Sequence, residues 1–100
     1  MPALLPLPSD DSCMGTHVPV PRSGYTPLRW DPEQPGARAR VRAYTCDCQP
    51  TYYELCQAGG LLFIRRTRRS GREIQVDEGA RLRQSEAMIM WTRLLEGLVR

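Results

Sequence analysis

The run over residues 61–79, LLFIRRTRRSGREIQVDEG, constrains this chain more than any other stretch. It starts apolar, turns strongly basic, passes through Ser70-Gly71 and returns as a mixed strand. That is the pattern of a β-hairpin, with glycine where the turn strains other residues. A lone hairpin is barely stable in water, so its apolar side needs a cover. The end of the chain supplies one. Ala87, Met88, Trp91, Leu94, Leu95 and Leu98 recur at three- and four-residue spacing and predict a helix. Ser85 is the expected N-cap, with Glu86 in the first turn and Gly97 weakening the last. Ile89, Met90 and Val99 widen the apolar arc beyond what one small sheet requires.

Two further strands are predicted upstream, over residues 38–46 and 51–57, joined by a turn at 47–50. A three-residue loop at Ala58-Gly59-Gly60 sets Leu55 opposite Phe63 and Tyr53 opposite Arg65. A two-residue loop at Ser70-Gly71 sets Thr67 opposite Ile74 and Arg65 opposite Val76. Opposite residues share a face. One face then collects Tyr53, Leu55, Leu61, Phe63, Ile74 and Val76 against the helix. The other carries Tyr52, Glu54, Arg66, Arg68, Glu73, Gln75 and Asp77, together with Leu62 and Ile64. The expected fold class is α+β: a small antiparallel sheet of three or four strands packed by one C-terminal helix.

Eight of the nine prolines fall within the first 35 residues, where they exclude a helix and the interior of a sheet. Residues 1–37 therefore read as a Pro-rich, extended, flexible N-terminal arm, with Tyr25, Leu28 and Trp30 as a small anchor, and residues 38–100 as the single domain. A core drawn from about 60 residues is marginal, so a staple, a partner or a second copy is expected to help hold it. The N-terminus lacks the basic start and unbroken apolar run of a signal peptide, and no stretch of 18 apolar residues occurs. Cytoplasmic residence and no membrane span are the expectations.

All 14 basic residues are arginine, and their distribution says more than the net charge of +3. Residues 38–72 hold eight arginines against Asp47 and Glu54, a net +6, while the flanking segments are weakly acidic. Such a segment invites an anionic partner. Catalysis is not expected. His17 is the only histidine and has no recognisable nucleophile beside it, and Gly59-Gly60 lacks the spacing and the lysine of a phosphate-binding loop. No cofactor or small-molecule substrate is expected either.

Cys13, His17, Cys46, Cys48 and Cys56 are the residues a metal could use. Cys46-x-Cys48 departs from the C-x2-C knuckle of structural zinc, and a reducing compartment opposes disulfides. The cysteines therefore read as small apolar residues or incidental thiols, with no metal site assigned and a zinc-stapled domain as the minor alternative.

The basic strand pair carries the functional expectation. Arg66, Arg68, Arg69 and Arg72 supply phosphate donors, while Tyr52 and Gln75 beside them suit further contact with a nucleic acid, since a β-ribbon fits the major groove. In the order and length of its elements, the segment from residue 51 through the helix resembles three-stranded-sheet-plus-helix DNA-binding domains. These occur in the arm-binding modules of phage integrases and in a family of plant transcription factors. The resemblance implies that the sheet meets DNA while the helix packs behind it. The chain is thus expected to be a small, non-enzymatic nucleic-acid-binding or transcription-regulatory protein acting on DNA. The alternative is a protein-interaction module that pairs with itself or a regulator through its apolar helix and Leu62/Ile64.

Overall fold

The computed structural model describes residues 16–34 and 38–100. Five strands form one antiparallel sheet: β1 (Asp31–Pro32), β2 (Arg40–Tyr44), β3 (Thr51–Ala58), β4 (Leu61–Ser70) and β5 (Glu73–Glu78). Their spatial order is β1-β5-β4-β3-β2. One C-terminal helix, α1 (Gln84–Leu95), packs on the sheet. The chain is thus a small α+β domain. No helix among the described residues is long and apolar enough to cross a membrane.

The register differs from expectation at both hairpins. At β3–β4 the loop is two residues, Gly59-Gly60, with Ala58 opposite Leu61 and a positive φ of 62° at Gly59. Leu55 therefore faces Ile64, and Tyr53 faces Arg66. This one-residue change moves the even-numbered side chains of β4 to the helix side. The core consequently gathers Tyr53, Leu55, Leu62 and Ile64 from the sheet, Ala87, Trp91 and Leu94 from α1, and Val99. At β4–β5 the loop is Gly71-Arg72, so Thr67 lies opposite Val76. That shift is two residues and leaves the faces unchanged.

Phe63 and Cys56, expected on the core side and the reverse side respectively, stand opposite each other on the reverse side, and both are buried. The Arg81 guanidinium lies 4.3 Å from the Phe63 ring centroid. Arg81 pairs with Glu78, and Arg65 pairs with Glu54 at 2.9 Å. These charged side chains cover the two buried groups, a use of arginine as apolar cover as well as charge. Burial pushes the Cys56 thiol up to about 11. Ile74, placed in the core by the expected register, is exposed.

Helix α1 begins one residue after Arg83, which makes no side-chain cap, so Ser85 lies inside the helix instead of capping it. The cause is upstream: Leu82 exchanges two backbone hydrogen bonds with Leu62, and this fixes where the chain leaves the sheet. Gly97 ends the helix. It adopts φ 78°, Leu98 N–H donates to Arg93 O, and Gly97 N–H donates to Leu94 O. This is the paired-bond termination in which glycine takes the left-handed position.

The arm runs through residues 16–34 with a turn at Ser23-Gly24 and is bonded to the domain at several points. Cys46 N–H donates to Thr16 O at 2.7 Å, Thr26 and Leu28 pair with the chain end over residues 98–100, and Glu33 N–H donates to Val76 O. Pro32 sits in β1 at the sheet edge, where its missing N–H costs no ladder bond.

Candidate functional site

The loop lengths decide what the arginines of β4 can do. Arg66 and Arg68 follow Leu62 and Ile64 on the helix side, past the end of the apolar core. Arg66 Nη2 lies 3.0 Å and Arg68 Nη2 2.9 Å from the same oxygen, Asp77 Oδ2. Gln75 Nε2 donates to the other oxygen, Oδ1, at 3.3 Å. Trp30, brought in by the arm, lies beneath the Arg66 guanidinium at 4.3 Å. Burial opposes ionisation of Asp77. Hydrogen bonds from Arg66 and Gln75 and the charges of Arg66 and Arg68 outweigh it, holding the carboxyl below its ordinary range.

Three of the six residues expected to contact nucleic acid thus converge on one buried carboxylate. Their placement on a solvent-facing surface opposite the helix is corrected: they share the helix side. Two more also make contacts within the domain. Arg69 Nη2 donates to the carbonyl oxygens of Asp47 and Gln49, and its guanidinium stacks 5.4 Å from the Tyr52 ring. Tyr52 stands opposite Thr67, not Arg66. Arg72 is exposed in the Gly71-Arg72 turn.

A different set of arginines remains without a carboxylate. Arg38, Arg40 and Arg42 are exposed on or just before β2, the sheet's outer strand, and none forms an ion pair among the described residues. Arg42 Nη1 donates to Gln57 Oε1, and a register shift between Val41 and Ala43 sets Arg42 out of the ladder. These three contributed to the +6 segment but were not singled out. Their alternation with Val41 and Ala43 was the available clue, because a strand of that composition suits an edge.

The metal-capable residues also meet. His17, Cys46 and Cys48 place their ligand atoms within 4.8 Å of one another, with His17 Nε2 3.1 Å from Cys48 Sγ. Cys56 is remote in role, being sealed under Arg81 and Phe63. Cys13 lies outside the described residues.

No known protein family, curated protein or solved structure matches the chain.

Proposed function

We propose that the chain is a small non-enzymatic protein that binds nucleic acid, DNA in the first instance, through phosphate contacts from the β2 edge. The supporting observation is the division of its arginines. Arg65, Arg66, Arg68 and Arg81 form ion pairs with Glu54, Asp77 and Glu78, whereas Arg38, Arg40 and Arg42 stand exposed and pair with no carboxylate among the described residues. Guanidinium groups along one strand suit a row of phosphates. Contacts of this kind position a duplex without reading its bases, so weak sequence preference is expected.

Binding to a short duplex, followed through a salt series, tests this. Each phosphate contact contributes roughly 0.9 to the slope of log K against log salt. Replacing Arg38, Arg40 and Arg42 together by alanine should lower affinity at every salt concentration and reduce that slope by about 2–3. No binding by the unaltered protein at low salt overturns the proposal. If such a protein also sediments as a dimer, the exposed Met88 and Ile89 on α1 favour self-association as the function instead.

A further inference from the structure

We propose that His17, Cys46 and Cys48 bind Zn2+ and thereby staple the N-terminal arm to the loop between β2 and β3. The site uses none of the residues assigned to nucleic acid, so it stands or falls separately. Its three side chains come from two segments about thirty residues apart, held together before any metal is considered. Cys46 N–H donates to Thr16 O at 2.7 Å, which sets His17 beside the Cys46-Asp47-Cys48 turn. From the other side, Arg69 holds the same turn through Asp47 O and Gln49 O.

The distances suit tetrahedral zinc. With bonds of about 2.3 Å to sulfur and 2.0–2.1 Å to nitrogen, ligand atoms lie about 3.5–3.8 Å apart. The three atoms here fall within 4.8 Å of one another, so the widest pair closes by at most about 1 Å, while the 3.1 Å His17–Cys48 separation opens by a few tenths of an ångström. Two thiolates and an imidazole select a soft or borderline d10 cation over magnesium or calcium. Binding transfers the two thiol protons to solvent, and the 2+ ion then cancels two thiolates, leaving the centre neutral beside a neutral imidazole. The fourth position is open to solvent. One residue between Cys46 and Cys48 is fewer than a knuckle uses, but the arm supplies the ligand that a longer spacing would have brought.

Protein purified with a non-chelating reductant and dialysed against metal-free buffer is expected to retain one zinc per chain by elemental analysis. Cobalt replacing that zinc should give a thiolate-to-metal charge-transfer band that weakens in Cys46→Ser and Cys48→Ser and persists in Cys56→Ala. Zinc affinity in Cys48→Ser should fall by more than the roughly 10–100-fold that losing a ligand's supporting residue costs. Ligand variants can unfold a small domain, so the unaltered protein is also titrated with a chelator, which should lower its melting temperature. Three results overturn the site: no retained zinc while all four thiols titrate, a Cys46–Cys48 disulfide that persists under reductant, or Cys56→Ala abolishing the band as fully as Cys48→Ser.

Discussion

Asp77→Asn should destabilise the domain by about 3 kcal/mol at neutral pH, because it removes the one charge shared by two partly buried guanidinium groups. The Asp77 side chain is only 7% exposed and that of Arg66 15%, so water cannot replace the lost partner. Arg68, at 42%, can turn outward and soften the effect. The pH dependence gives an independent reading. The folded carboxyl titrates below its unfolded value of about 3.9, so its stabilisation is complete above that pH and is lost as pH falls through the lower, folded value. Denaturant unfolding between pH 7 and pH 2 should show this acid-side loss in the unaltered protein. Asp77→Asn should start lower and lack that component.

Leu94→Ala should cost about 3–4 kcal/mol. Leu94 is fully buried in the cluster with Tyr53, Leu55, Leu62, Ile64 and Trp91, where truncation leaves a cavity that neither sheet nor helix can close. Domains of this size carry on the order of 5–10 kcal/mol in total, so the change should be visible as a large drop in unfolding midpoint. Ile74→Ala offers the comparison. The expected register puts Ile74 in the core, but it is 65% exposed, and its truncation should cost under about 0.5 kcal/mol.

The contrast between those two residues shows where the sequence is informative. The strands at 51–58, 61–70 and 73–78 were legible from β-formers punctuated by glycine, and the helix was legible from its three-four spacing. The faces were not. Leu61, Leu62, Phe63 and Ile64 are apolar without alternation, so the run gives no sign of which pair looks toward the helix. The choice then rests on whether Ala58 belongs to the loop or the strand, and alanine accepts either. Cys56, read as a small apolar residue or an incidental thiol, is completely enclosed opposite Phe63.

Long-range partners were hidden for a different reason. That Arg66 and Arg68 share the single carboxylate of Asp77 depends on the β4–β5 register, which no local pattern specifies. Trp30 was recognised as an anchor, but not as the ring beneath Arg66. The ligand types at Cys13, His17, Cys46 and Cys48 were visible, whereas the approach of His17 to the Cys46–Cys48 turn depends on the arm's path beside Thr45. No local pattern specifies that path. The short strand at Asp31–Pro32 was missed because proline argues against sheet interiors while tolerating an edge.

The contrast between the buried Arg66 and the arginines of the β2 edge can be read directly from their Nε–H resonances as duplex DNA is added to nitrogen-labelled protein. Arg66 has a buried Nε group on a side chain only 15% exposed, so its Nε proton should exchange slowly and scarcely shift. Those of Arg38, Arg40 and Arg42 should exchange fast in the free protein and move on binding. Fast exchange at Arg66, with DNA-induced shifts centred on that residue, would contradict both the register and the interface placed on β2.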